Sequence, residues 1–205
     1  MTELFIVRHG QTYGNVDNLW CGHSETALTP LGVAQAQAAG RRLAATTFAA
    51  AYASDLSRTH DTARNVIGER DLRLFLDPRL REMYYGEWEA LPGPSVEKDQ
   101  PERLKRFFRC EEPAPGGESF LDIRARTRAA IEEAVERHRG ENILVVSHGN
   151  AIMALVAELL GLPVTSTWSF ALDNCSLTRV HVSRRGRATV LCLNDTAHTR
   201  ELSGG

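Results

Sequence analysis

An α/β fold built on a mostly parallel sheet, with helices on both faces, is the architecture this sequence predicts. Short apolar runs alternate with segments of helical periodicity, the pattern of strand–helix–strand units. The runs at 4–7 and 142–146 are continuous rather than alternating, as expected of strands covered on both faces. Near the end, two alternating segments flank Arg184-Arg185-Gly186-Arg187, a hairpin signal that places an antiparallel edge strand on the sheet. The expected layering is an αβα sandwich in three layers.

Leu4 to Val7 reads as the first buried strand, followed by a polar, Gly-containing loop from Gly10 to Thr29. Thr29 then caps a helix with Pro30 at its first position, where a missing N–H costs nothing. Leu31, Ala34, Ala38 and Leu43 give that helix one apolar face, up to about Thr46. Phe48 to Ala53 is a second strand, Asp55 to Ile67 a second helix, and Leu72 to Leu76 a third strand stopped by Asp77 and Pro78. From Arg79 to Gly117, Pro and Gly punctuate the chain, with one amphipathic helix expected over about Pro101 to Arg109. Ser119 with Asp122 resembles a capping box opening a long helix to about Arg139. Asn142 to Val146 is a strand, and Asn150 to Leu160 a helix closed by Gly161 and Pro163. Cys175 to Val182 and Ala188 to Leu193 form the hairpin, and a loose tail is expected after about Thr196. One compact domain over 1–205 is expected, with 83–117 as a cap-like insertion over one end of the sheet.

Composition narrows the function classes. The 205 residues are 42% hydrophobic and 24% charged, which argues against disorder, collagen or coiled coil. A formal charge of −2 gives no global pull toward nucleic acid or an anionic membrane. Of the 24 basic residues all but Lys98 and Lys105 are Arg, which suits phosphate recognition but equally reflects composition bias. Cys21, Cys110, Cys175 and Cys192 have no metal-like spacing and read as reduced thiols of a cytoplasmic protein. The opening apolar run is too short for a signal peptide, and no run of about 18 apolar residues suggests a membrane span.

In open α/β sheets, ligands gather beyond the carboxyl ends of the strands. There the sequence places Arg8-His9-Gly10-Gln11-Thr12 with Asn15, then Ser54-Asp55-Leu56-Ser57-Arg58, then Ser147-His148-Gly149-Asn150. Two histidines and two arginines at one rim make a pocket for a dianion, and phosphate is the obvious guest. The helix opening near Asn150 adds its N-terminal dipole. A neutral imidazole there can attack phosphorus, and arginines can neutralise the moving phosphoryl oxygens. Glu82, with Tyr84, Tyr85 and Trp88 close by, is the best general-acid candidate, because a carboxyl beside aromatic bulk tends to keep its proton.

These residues resemble the signatures of the histidine phosphatase superfamily, with its phosphoglycerate-mutase-like fold. So do Leu28-Thr29-Pro30-Leu31-Gly32-Val33-Ala34-Gln35-Ala36, Thr62-Ala63, Leu80-Arg81-Glu82, Gly86-Glu87-Trp88-Glu89 and Gly116-Gly117-Glu118-Ser119, in order along nearly the whole chain. The resemblance implies that His9 is the nucleophile and Glu82 the proton donor. It implies that Arg8, Arg58 and His148 bind the phosphoryl group, assisted by Asn15 and the Gly149 backbone. It implies no metal and no cofactor. Cys21-Gly22-His23 occupies a loop that often reads Gln-Gly and lines the pocket mouth, which makes Cys21 and Gly22 candidate substrate contacts. Ala90 stands where Gly is usual after Trp-Glu, and Gln11 where Glu is common. The segment 91–117 is short and lacks the adjacent arginine pair of the cofactor-dependent mutases. The chain therefore resembles the small phosphatase branch, and the expectation is a metal-independent phosphatase of small phosphorylated metabolites.

Two alternatives stay open: a phosphoglycerate mutase, and a non-catalytic phosphate-binding module on the same fold. For each site residue the bland reading is structural: a hydrogen-bonded core histidine for His9 or His148, a surface helix residue for Arg58, a solvated loop carboxylate for Glu82. His23, His60, His138, His181 and His198 carry no catalytic expectation. Trp20, Tyr84, Tyr85, Trp88, Phe107, Phe108 and Trp168 are expected in core or cap packing, one or two of them facing the leaving group. A homodimer is the commonest alternative to a monomer, on base rate alone.

Overall fold

The computed structural model describes residues 1–202. Its elements are β1 (Thr2–Arg8), α1 (Tyr13–Val16), α2 (Pro30–Arg42), β2 (Ala50–Ala53), α3 (Ser57–Ile67) and β3 (Leu74–Leu76), followed by α4 (Gly93–Asp99), α5 (Pro101–Phe108) and α6 (Phe120–Arg137). They end with β4 (Asn142–Ser147), α7 (Gly149–Leu159), β5 (Leu177–Val182) and β6 (Ala188–Asp195). The sheet runs β3-β2-β4-β1-β5-β6, with β1 to β4 parallel and β5 and β6 antiparallel on one side. The α/β sandwich with its antiparallel edge is thus as the sequence predicts.

The continuous apolar runs explain the layering, because successive side chains of a strand point to opposite faces. Phe5, Val7, Ala51, Ala53, Leu144 and Val146 pack on Ala36 and Ala39 of α2 and Ala63 and Val66 of α3. Leu4, Ile6, Ala50, Tyr52, Ile143 and Val145 pack on Ala130 and Ile131 of α6 and Ile152 and Val156 of α7. A third cluster joins Met83, Tyr85, Trp88, Val96 and Phe107 to Phe120 and Ile123 of α6, so the punctuated segment has its own apolar contacts beside the sheet. Among the described residues, no helix is long and apolar enough to cross a membrane.

Several boundaries differ from expectation. The helix after Thr29 stops at Arg42, not Thr46, because Leu43 is the last core-facing position and the Ala44 and Thr46 N–H groups close turns on Arg41 and Leu43. The strand expected from Leu72 starts at Leu74, because Leu72 N–H turns back to the Arg70 carbonyl. The loop 10–29 holds the short α1, nucleated by a reciprocal Thr12–Asn15 cap. The Gly- and Pro-rich stretch holds α4, whose Pro94 lies in the first turn where no intrahelical N–H is needed. Tyr84 and Phe108, expected in packing, are 40% and 48% exposed. The tail after Thr196 is not loose as far as Leu202: Thr199 is buried, and His198 Nε2 bonds the Cys175 carbonyl at 2.9 Å. Residues 203–205 of that expected tail lie outside the described residues. The four cysteines are free thiols.

Two features fix the loops that will frame the site. Gly10 and Gly32 pack backbone to backbone: a Cβ on Gly10 would lie 2.4 Å from the Gly32 carbonyl oxygen. Glu89 anchors the loop 21–24. Its carboxylate accepts the His23 and Tyr85 N–H groups at 3.0 Å, the Ser24 N–H at 2.9 Å and the Ser24 hydroxyl. Burial pushes the Glu89 pKa up, but the bonds from Ser24, Tyr85 and His23 outweigh it and hold the carboxyl below the usual range. Next to it, Ala90 has φ 60°, the left-handed region that favours glycine.

Ala90→Gly is expected to stabilise the protein by about 0.5–1 kcal/mol, the left-handed penalty of a Cβ less the entropy glycine loses on folding. The check is a rise in urea midpoint at unchanged m-value. Glu89→Gln should cost about 1–3 kcal/mol at neutral pH. Because the folded pKa of Glu89 is depressed, its stabilisation is complete above the unfolded carboxyl pKa and is lost as pH falls through the folded value. Urea unfolding across acid pH should therefore show a shallower loss of stability in the variant than in the parent.

Candidate active site

Strand register brings the site together. β4 lies between β1 and β2, and Arg8 pairs in register with Ser147. His9 N–H extends that ladder to the Ser147 carbonyl at 2.9 Å, and Ser54 N–H on the other side reaches Val146 at 3.2 Å. Three neighbouring strands thus end at one rim and deliver His9, His148 and, in the first turn of α3, Arg58. The His9 and His148 rings are 5.2 Å apart between centroids. Thr62 ties α3 to the first loop, accepting the Gly10 N–H at 3.0 Å and donating to the Arg58 carbonyl at 2.6 Å.

The two imidazoles are held in complementary tautomers. His9 Nδ1 lies 2.8 Å from the Gly10 carbonyl, which can only accept, so Nδ1 carries the proton and Nε2 the lone pair. Arg58 Nε can only donate, and it lies 3.2 Å from His148 Nδ1, so the His148 proton is on Nε2. That Nε2 is buried and unpartnered. Both rings are held neutral. Burial, then Arg58 and Arg8, keep His9 well below the ordinary histidine range; burial, then Arg58 and His9, do the same to His148.

Arg58 is 1% exposed and has no carboxylate partner among the described residues. It donates to His148, to the Ser24 carbonyl at 2.9 Å, and to the Cys21 and Gly22 carbonyls at 3.2 and 2.6 Å. Four of its five N–H groups are thus directed at protein, and one remains on Nη1. Arg8 donates to the Leu172 carbonyl at 2.5 Å, and its Nε is buried without a partner. It too forms no ion pair among the described residues, whereas Arg79, Arg81 and Arg126 nearby are each ion-paired. Desolvation lowers the pKa of both pocket arginines by more than the nearby Glu82 raises it, and neither is ion-paired among the described residues.

Glu82 is 7% exposed at the N-terminus of α7. Its Oε1 accepts the Met83 and Ala151 N–H groups at 2.9 and 3.0 Å, and Oε2 accepts the Asn150 N–H at 3.1 Å. Burial raises its pKa despite those bonds and despite Arg58 and Arg8. Oε2, with one donor, is the oxygen with room for a proton. A Cβ on Gly149 would stand 3.5 Å from Arg8 Nε and 3.7 Å from Glu82 Oε2, between the two groups.

A cavity of about 210 Å³ opens here, lined by Arg8, His9, Asn15, Cys21, Arg58, Glu82 and Gly149 of the sequence-predicted set. Gly22 is buried with its carbonyl on Arg58, and His148 is fully buried with its ring 5.2 Å from that of His9; neither is part of the cavity's exposed lining. The wall also includes Thr12, Leu19, Trp20, Tyr85, Asn150, Met153 and Leu172. Trp20 and Tyr85 are the members of the aromatic set that face the cavity, and Asn174, which the sequence does not single out, donates Nδ2 to the His9 carbonyl and to Asn15 Oδ1, both at 3.1 Å. Asn15 Oδ1 also accepts the Thr12 N–H at 3.1 Å. With its oxygen taken twice, the Asn15 amide keeps its NH₂ for the cavity. Nothing in the sequence ties position 174 to position 15; only an Asn before a turn marks it.

The site as built has two unpaired cations, a neutral imidazole with a free lone pair, a neutral imidazole with a free N–H, and a protonatable carboxyl. Comparison with known proteins finds the same constellation's family. The family description of the histidine phosphatase superfamily (branch 1) matches residues 4–196. The chain is 32% identical over 197 residues to the adenosylcobalamin/alpha-ribazole phosphatase of Escherichia coli (strain K12), covering 95% of this chain and 97% of the relative. It is 36% identical over 182 residues to the probable phosphoglycerate mutase GpmB of Yersinia enterocolitica, covering 88% and 85%. Among solved structures, Bacillus stearothermophilus YhfR superposes with a TM-score of 0.93 at 32% identity, over 98% of this chain and 100% of that one. A match along nearly the whole chain, with the motifs converging at one rim of this fold, leads to one conclusion: the chain belongs to the histidine phosphatase superfamily of enzymes.

Proposed function

We propose that this chain hydrolyses small phosphomonoesters through a phosphohistidine on His9, without a metal. The observation that carries the reading is the pair of arginines, the buried Arg58 and the half-buried Arg8 with its buried Nε, neither ion-paired, around a histidine whose Nε2 lone pair is free. A dianionic phosphoryl group supplies the missing counter-charge. Arg8, the remaining Arg58 N–H, the His148 Nε2–H and the Asn15 amide are the donors for its oxygens, with the Gly149 backbone at the helix N-terminus beside them.

In the first step His9 Nε2 attacks phosphorus and the P–O ester bond breaks. The proton on Glu82 Oε2 passes to the leaving oxygen, which departs as an alcohol. The imidazolium so formed keeps its Nδ1–H on the Gly10 carbonyl. In the second step the Glu82 carboxylate takes a proton from water, the water oxygen attacks phosphorus, and the P–N bond breaks. Phosphate leaves, and Glu82 and His9 return to their starting forms. Phosphatase rather than mutase chemistry is favoured by the segment 91–117. Arg103 and Arg106 pair with Glu112, Lys105 with Glu102 and Arg109 with Glu111, and none lines the cavity. The alpha-ribazole phosphatase likeness fits that reading, and the likeness to a probable mutase makes product identity the decisive observation.

His9→Ala should abolish phosphate release and remove the acid-labile phosphoprotein trapped by quenching during turnover; substantial residual hydrolysis sinks the covalent step. Glu82→Gln should cost on the order of 10²–10⁴ in kcat with alkyl phosphates and less with 4-nitrophenyl phosphate, whose leaving group needs no acid. Since the raised Glu82 pKa sets the alkaline limit of its acid form, the variant should also lose the alkaline fall of kcat/KM. Equal losses with both substrates and an unchanged profile would remove Glu82 from the acid role. With 3-phosphoglycerate, free phosphate is expected rather than its isomer.

A further inference from the structure

We infer that Arg126 is a positioning residue for the general acid: its guanidinium, held by Glu118, fixes the main chain that aims the Glu82 carboxyl at the leaving oxygen. The inference rests on the phosphomonoesterase reading, with Glu82 as its acid, and adds a residue outside the cavity wall. Residues 81–85 belong to no helix or strand, so no ladder places Glu82 as one places His9. Side chains do so instead. The Leu80 carbonyl accepts the Ser147 hydroxyl at 2.8 Å, and the Arg81 side chain is bidentate to Asp55 at 2.7 and 2.6 Å. The carbonyls of Arg79 and Arg81 each accept Arg126 Nη1 at 2.7 Å, and that of Glu82 accepts Nη2 at 2.9 Å. The Glu82 carbonyl has a second donor in His23 Nε2, at 3.1 Å.

Arg126 has no donor left for a substrate. Its Nε and Nη2 bind the two Glu118 oxygens at 2.5 and 2.7 Å, so two N–H groups serve the carboxylate and the other three serve carbonyls. Glu118 in turn exchanges bonds with Tyr84: its N–H donates to the Tyr84 carbonyl at 2.8 Å, and its Oε2 accepts the Tyr84 N–H at 3.3 Å. The pair therefore grips the chain on both sides of Glu82. The two side chains are only 19% and 13% exposed, so water competes little for these bonds. Arg126 stands on α6, which shares one core with α7, and α7 supplies the Asn150 and Ala151 N–H groups to the Glu82 carboxylate. One helix pair thus locates both ends of the acid, its main chain and its carboxyl. Oε2 has a single donor, Asn150, so its direction follows the main chain behind it. Misplacing a reacting group by about 1 Å costs on the order of 10²-fold in rate.

The test measures phosphate release from glycerol 3-phosphate and 4-nitrophenyl phosphate by Arg126→Lys, alone and combined with Glu82→Gln. Lysine keeps the charge but cannot reproduce the arginine fork. Arg126→Lys should lower kcat by about 10- to 100-fold with glycerol 3-phosphate and by less than about threefold with 4-nitrophenyl phosphate, whose leaving group needs no acid. KM should change little, since the donors to the phosphoryl oxygens are untouched. In the Glu82→Gln background the same substitution should cost less than about twofold with either ester, because the group it positions is gone. Glu118→Gln leaves Arg126 in place but loosens its hold, and should show the same split between esters at smaller size. It carries the test if Arg126→Lys lacks cooperative urea unfolding. Equal losses with the two esters, no loss, or an undiminished loss in the Glu82→Gln background overturns the inference and leaves the phosphatase reading standing. No phosphate from either ester, with no phosphohistidine formed by the folded parent, overturns that reading and the inference with it.

Discussion

A guanidinium taken out of water without a carboxylate to receive it is the constraint on which the rest of this site depends. Arg58 is almost fully buried, and the protein meets its charge with neutral acceptors: three carbonyls of the 21–24 loop and the Nδ1 of His148. Those bonds set the position of the loop and the tautomer of the second histidine at once. They also set the protonation of both imidazoles, since a buried cation beside them opposes any further positive charge. Arg8 repeats the arrangement on the other side, with the Leu172 carbonyl as its acceptor and its Nε unpartnered. Buried positive charge of this kind is costly, and in the proposed function a phosphoryl dianion supplies the counter-charge.

The scaffold holds these charges by backbone rather than by side-chain packing. Two parallel strands in register carry the two histidines, and a third carries the chain to Arg58. The contact of Gly10 with Gly32 brings the first loop down onto the start of α2, closer than any side chain allows. Asn174, in the turn before β5, then joins the His9 backbone to the Asn15 amide. Glu82 is placed by the same economy: its carboxylate occupies the first N–H groups of α7, which fixes its direction, while burial keeps it ready to hold a proton. Such placement suits the proposed phosphoryl transfer, in which the protein supplies mainly orientation and charge.

The segment between β3 and α6 packs a core of its own beside the site. Its aromatic side chains, Tyr85, Trp88 and Phe107, meet Trp20 from the first loop and form a core of their own. Tyr85 and Trp20 present that core's inner edge to the cavity. Its basic residues point elsewhere and pair with the acids of their own segment.

Much of this was legible from the chain alone. The continuous apolar runs at 4–7 and 142–146 announced parallel strands, and the Arg-His-Gly and Ser-His-Gly sequences after them announced the rim, because side-chain period and strand-end placement are local properties. Thr29-Pro30 and Ser119-x-x-Asp122 opened their helices as read, since a cap is decided within four residues. Reading failed where local signals were overruled. Thr12-x-x-Asn15 capped a helix too short to show periodicity, and Pro92, Gly93 and Pro94 looked like punctuation although a helix starts there. Ala90 was noticed as a departure from Gly, but its left-handed φ belongs to the turn that Glu89 ties down. The sequence by itself determined the fold class and the family whose motifs meet at the rim, for these depend on periodicity and on motifs a few residues long. Only the tertiary structure decided which nitrogen of each histidine is free, that Arg8 and Arg58 are without counter-ions, and that Trp20, Tyr85, Met153, Leu172 and Asn174 complete the site. Those facts rest on hydrogen bonds and burial between residues up to 165 positions apart, which no local pattern encodes.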